Sequence, residues 1–134
     1  MDAATRRLVR RRAVDRCEYC RLPQSAVNAA FHVEHIRSRQ HGGGDDPQNL
    51  ALACDRCNFC KGPNLVGVDP DTDVMVPLFD PRRDVWNEHF TLAAADIVGT
   101  TEVGRATVHL LQMNDPRRRG LRALLLAAGE LWGS

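Results

Sequence analysis

Cys17-Glu18-Tyr19-Cys20 and Cys54-Asp55-Arg56-Cys57 are two C-x-x-C pairs, and their reading decides the fold. Two residues between the cysteines let both sulfurs of one knuckle reach a single ion at about 2.3 Å, and a second knuckle completes a tetrahedron. Cys17, Cys20, Cys54 and Cys57 are therefore expected to hold a structural Zn²⁺. The protein fills every coordination position, so no place is left for a reactive water and the ion serves the fold. The competing readings are free buried thiols or two disulfides. A total of five cysteines leaves one over, which suits a reducing compartment better than a secreted chain. Cys60, just beyond the second knuckle, reads as a spectator thiol.

The rest of the composition fits that picture. A chain of 134 residues, 43% hydrophobic and 26% charged, is close to globular averages, which argues against a wholly disordered protein. A unit of about 60 residues inside it is marginal alone and gains from a metal. No apolar run approaches the roughly 20 residues of a membrane span. The opening MDAATRRLVRRR lacks the apolar core of a secretory signal, so no membrane partner and a cytoplasmic location are expected. The net charge of +1 says nothing about a polyanionic partner, but its distribution is uneven. Residues 1–66 carry 11 basic and 7 acidic side chains, residues 67–134 carry 7 and 10. The arginines between Arg6 and Arg12 form a basic cluster, for which a solvated helix face is the plain reading.

Outward from the knuckles, residues 5–16 read as a helix with a weak apolar stripe. Residues 17–25 form the first metal turn, and 30–36 (AFHVEHI) read as a strand. Gly42-Gly43-Gly44 and Asp45-Asp46-Pro47 mark a loop over 37–48, followed by a strand at 50–53. A short helix then runs from Cys54 to Lys61 and stops at Gly62-Pro63. Beyond residue 66 the pattern changes. Residues 74–79 and 85–92 read as strands, with a short third at Ile97 and Val98. Thr100 or Thr101 caps a helix whose apolar stripe runs from Val103 to Asn114. Asp115-Pro116 breaks it, and a last helix places Leu121, Leu124, Leu125, Ala128, Leu131 and Trp132 on one face. The expected organisation is a metal-stapled core at 1–66 and a C-terminal α+β extension at 67–134 packed upon it.

Between the knuckles lies His32-Val33-Glu34-His35-Ile36, then Asn49-Leu50, then Cys57-Asn58-x-x-Lys61-Gly62. This order, framed by two C-x-x-C pairs, resembles the HNH nuclease family with its ββα-metal fold, over about residues 13–65. Leu78-Phe79-Asp80-Pro81-Arg82, Trp86-x-Glu88-His89-Phe90 and Gly104–Val108 are similar to the tail of a bacterial subgroup, to which the resemblance assigns no role. The resemblance implies an α+β nuclease that hydrolyses DNA phosphodiesters, leaving 5′-phosphate and 3′-hydroxyl ends. It implies His35 as general base, Glu34 and Asn58 as ligands of a catalytic Mg²⁺ or Mn²⁺, and Asn49 as the residue that orients the loop and the histidine. The family's final histidine is Asn58 here, and its commoner Asp is Glu34.

Residue chemistry supports the same assignment. A neutral imidazole accepts a proton near pH 7, and carboxylate and amide oxygens are hard ligands for Mg²⁺ or Mn²⁺. Arg37, Arg39 and Lys61 flank the segment, with Arg37 and Lys61 the candidate nucleic-acid contacts. His41, His89 and His109 read as packed or surface residues, and Arg105 as a structural ion pair or a DNA contact. One geometric problem stands out. Adjacent strand residues face opposite ways, so Glu34 and His35 can meet one phosphate only if the strand bends or ends there. The alternative metal pair is His32 with Glu34, which share a strand face. The alternative function is a non-catalytic zinc-ribbon module that binds nucleic acid. RNA stays open beside DNA.

Overall fold

A computed structural model describes residues 1–130 of the chain. The fold is α+β, made of three two-stranded antiparallel hairpins and five α-helices among the described residues. Helix α1 covers Ala3–Arg12, capped by the Asp2 carboxylate, which accepts from the Thr5 amide at 2.8 Å. It ends four residues before the expected boundary. Val14 and Asp15 adopt left-handed φ values of 56° and 51°, turning the chain into the first knuckle.

Strands β1 (His32–His35) and β2 (Leu50–Ala53) pair antiparallel, with His35 opposite Leu50 and Glu34 opposite Ala51. All of β2 is buried, because α1 and the following helix both pack against this hairpin. That explains its unbroken Leu-Ala-Leu-Ala run. Helix α2 (Asp55–Lys61) starts at Cys54, whose sulfur accepts from the Cys57 amide at 3.4 Å. Hairpin plus α2 form the ββα unit. The basic cluster of α1 is partly turned inward: Arg10 donates to the Phe31 carbonyl at 2.7 Å and Arg12 to the Leu50 carbonyl at 2.8 Å.

The second half departs from the sequence reading in several places. Strand β3 (Val66–Val68) was not anticipated; it pairs with β4 (Met75–Pro77), shorter than the expected 74–79. The expected strand 85–92 is instead a helical turn, α3 (Trp86–His89), followed by β5 (Phe90–Ala93). In a strand Glu88 would share the face of Trp86 and Phe90. The helical turn brings those two rings to 5.0 Å in the core and leaves Glu88 exposed. Strand β6 (Asp96–Gly99) pairs with β5 and contains Ile97 and Val98.

Helix α4 (Glu102–Leu110) is capped by Thr101, whose hydroxyl accepts from the Gly104 amide at 3.0 Å. It stops before Asn114, which clamps Ile97 by two backbone hydrogen bonds of 2.9 and 2.8 Å. Helix α5 (Pro116–Ala127) follows an Asp115 cap. Its inner face differs from the expected stripe. Leu121 and Leu125 pack on the core, but Leu124 is 70% exposed and Ala128 is exposed. The buried place belongs to Arg122, whose guanidinium donates to Ala95 O and Asn114 Oδ1, each at 2.8 Å. Leu131 and Trp132 lie outside the described residues.

Several contacts join the second half to the knuckles. The Trp86 indole donates to the Tyr19 carbonyl at 2.7 Å, Phe79 packs edge-on to Tyr19, and Arg82 pairs with Glu18. Arg118 pairs with Asp55, and Arg56 with Asp115 at 3.0 Å. Arg105 is a structural ion pair: it grips buried Asp69 through bonds of 3.0, 3.2 and 2.8 Å, and these hold the Asp69 carboxyl down at about 2.

Candidate active site and metal centre

The ligand sulfurs of Cys17, Cys20, Cys54 and Cys57 all lie within 4.8 Å of one another, and all four residues are buried. Cys20 Sγ and Cys54 Sγ, from different knuckles, are 3.8 Å apart. Four sulfurs at 2.3 Å from one ion would sit about 3.8 Å apart, so this spacing matches the edge of a zinc–thiolate tetrahedron. It is nearly twice the ~2.05 Å of a disulfide, and all five cysteines are free. In both knuckles an amide supports a sulfur, Cys20 N to Cys17 Sγ and Cys57 N to Cys54 Sγ, each at 3.4 Å. Burial pushes the Cys17 thiol up, and hydrogen bonds from the neighbouring thiols push Cys57 up while holding Cys54 down. Only a cation at the centre reconciles four sulfurs as thiolates. The donor set therefore fits Zn²⁺.

The ββα unit brings Glu34, His35 and Asn58 to one open cleft of about 460 Å³ between β1 and α2, together with His32 and Phe59. His35 is the last residue of β1, opposite Leu50, and it lines this cleft together with its neighbour Glu34. Glu34 points inward and is 7% exposed. One carboxylate oxygen accepts from the Tyr19 hydroxyl, and the other lies 3.3 Å from Lys61 Nζ. Burial pushes the Glu34 carboxyl up, while Lys61 and Tyr19 pull it back toward ionisation. Each oxygen has two lone-pair directions, so one direction on each stays available after these bonds. Asn58 lines the same cleft, and a carboxylate with an amide oxygen is a donor set suited to a hard divalent ion.

His35 engages Asp45: Nε2 lies 2.7 Å from Asp45 Oδ1. Asp45 is held by Arg39 at 3.0 Å and by the N-terminal ammonium at 3.7 Å. The hydrogen bond to His35, with Arg39 nearby, keeps the Asp45 carboxyl below its ordinary range. An ionised Asp45 can only accept, so Nε2 carries the proton and Nδ1 is left as the basic nitrogen.

Asn49 braces the loop between β1 and β2. Its amide nitrogen donates to Arg37 O and Gly44 O, both at 2.9 Å, and its oxygen accepts from Arg37 N at 2.9 Å. The packing is tight at Gly43, where a Cβ would lie 1.7 Å from Arg37 O and 2.8 Å from Asn49 Nδ2. Only glycine permits that approach.

Arg37 is exposed but lines a separate cleft of about 590 Å³ with Asn49, away from Glu34 and His35. Lys61 lines that same cleft. It is 2% exposed, and its ammonium donates to Ile36 O at 2.9 Å and His35 O at 3.3 Å besides meeting Glu34. An ammonium that deep is held by its partners. His89 bonds Thr101 at 2.7 Å and packs on Phe79 and Phe90. Tyr19 and Asp45 are the residues that sequence reasoning missed. Tyr19 was legible only as a knuckle spacer. Asp45 carried one signal, an acid in a glycine-rich loop of a histidine-led hairpin.

These features define a metal-stapled ββα domain. Residues 17–64, about a third of the chain, match the model of the family described as HNH endonuclease. The family implies a nucleic acid as substrate. No curated protein and no solved structure matches the chain. Among the described residues no helix is long and apolar enough to cross a membrane.

Proposed function

We propose that the protein is a metal-dependent HNH endonuclease that hydrolyses DNA phosphodiester bonds, with residues 1–66 as the nuclease core and 67–134 as an extension packed on it. The observation that carries this reading is the shared cleft of Glu34, His35 and Asn58, with His35 already polarised by Asp45. His35 accepts the proton of the attacking water at Nδ1, and Asp45 stabilises the imidazolium that results. Glu34 and Asn58 would hold Mg²⁺ or Mn²⁺, which would supply charge neutralisation for the phosphate and the departing 3′ oxygen. Asn49 fixes the loop that carries Asp45. Tyr19 and Lys61 fix the Glu34 carboxylate, so the zinc knuckle that holds Tyr19 also positions the second metal's ligand. His32 lines the same cleft and is exposed.

The test is plasmid nicking with Mg²⁺, Mn²⁺ or neither, on wild type and His35→Ala. Wild type should nick only with the added ion, and His35→Ala should lose at least the 10²–10⁴-fold that a positioned base contributes. DNA binding by both proteins with no nicking under any ion would replace this account with the non-catalytic binding module.

A further inference from the structure

Phe59 is the most exposed large apolar side chain of the described residues, at 85%. It follows Asn58 on α2 and contributes nothing to the core. Two clefts meet at it. One is the cleft of Glu34 and His35; the other, about 690 Å³, lies between α2 and the start of α5 and is lined by Arg56, Arg117, Arg118 and Leu121. His32, Asn58 and Phe59 line both, so the two clefts adjoin at these residues as one groove.

The second arm is basic. Arg117 is exposed, while Arg56 pairs with Asp115 and Arg118 with Asp55, so three guanidiniums face two carboxylates. A basic groove carrying an exposed aromatic is how proteins track a single strand: the charge follows the phosphates and the ring face stacks a base. A paired duplex keeps its base faces covered, so it cannot use Phe59 in this way. An uncharged apolar partner would use the ring but not the arginines.

We propose that this groove binds an unpaired stretch of polynucleotide, with one base stacked on Phe59 and its flanking phosphate delivered past Asn58 to His35. The preferred substrate is then DNA with a locally unpaired strand beside the scissile bond. This rests on the nuclease reading above.

The experiment uses the zinc-loaded full chain carrying His35→Ala, which silences cleavage. The probes are a single-stranded oligonucleotide with a central 2-aminopurine and the fully paired duplex of the same sequence. Binding should quench the 2-aminopurine in the single strand. Adding Phe59→Ala should remove the quenching and weaken single-strand affinity by roughly 5- to 150-fold, the loss of one stacked base. Adding Phe59→Trp instead should retain both, and duplex affinity should change less than about 2-fold in either variant. Equal affinity of the Phe59→Ala protein for the single strand, or an equal loss on the duplex, overturns the stacking site while leaving the nuclease reading intact. A change in sedimentation with Phe59→Ala and no change in binding assigns the ring to self-association instead. If wild type neither binds nor cleaves either probe, the nuclease reading falls and the groove with it.

Discussion

Tyr19→Phe removes a single hydroxyl and interrogates the link between the zinc knuckle and the candidate metal ligand. The hydroxyl is fully buried and donates to a carboxylate that is 7% exposed, so water cannot replace it. A hydrogen bond to a charged acceptor contributes roughly 1.5–3 kcal/mol, against about 1 kcal/mol for a neutral one. The variant should lose about 2 kcal/mol in urea unfolding near pH 8, with an unchanged slope and zinc content. The pH dependence follows from the sign of the shift. Burial raises the folded-state pKa of Glu34, so the native chain gains stability as pH falls through that value and the buried charge disappears. Tyr19 opposes that shift by favouring the ionised form. The penalty of the variant is therefore largest above the folded pKa and shrinks toward about 1 kcal/mol as the pH is lowered with zinc still bound. Nicking activity should need more Mg²⁺ for half-activation, because Glu34 is less firmly placed. A variant as stable as wild type at pH 8, or one whose penalty grows in acid, refutes the reasoning.

Three further outcomes are expected. A chelator strong enough to strip the knuckles should unfold residues 1–66, since the free energy of binding a cation among the four cysteines is then lost to the fold; circular dichroism showing full helicity at zero zinc would contradict this. Asp45→Asn should slow nicking by about 10–100-fold, the usual effect of losing an orienting partner, with the Mg²⁺ midpoint unmoved. Arg105→Ala strands the buried Asp69 carboxylate, so it should lower the thermal midpoint and leave DNA affinity unchanged in a filter-binding assay.

The knuckles, the hairpin and α2 were legible because their signals are local. Spacing alone names Cys17, Cys20, Cys54 and Cys57, and the Leu50–Ala53 run marks a strand buried on both sides. The environment of Glu34 was not legible. Its partners Tyr19 and Lys61 come from the first knuckle and the end of α2, and only the packed ββα unit brings them to one carboxylate. Lys61 looked like a surface cation because charge alone carries no direction. Asp45 is reached through the path of the loop that Asn49 and Gly43 fix, a geometry no periodicity encodes. In the second half, Trp86 and Phe90 fit strand and helical spacing alike, and tertiary demand for both rings in the core chose the helical turn. Arg122 took the buried position of α5 because carbonyl and amide oxygens from outside the helix satisfy it, so the apolar stripe is only partly inward, with Leu121 and Leu125 on the core and Leu124 exposed.

Crystals of the zinc-loaded protein soaked in Mn²⁺, read by anomalous scattering at the manganese edge, address the second metal directly. The account predicts a peak in the β1–α2 cleft bonded to a Glu34 carboxylate oxygen and the Asn58 amide oxygen, separate from the zinc among the four sulfurs. A saturating soak that leaves this cleft without a peak, or an ion held by His32 with Asn58 uninvolved, would contradict it.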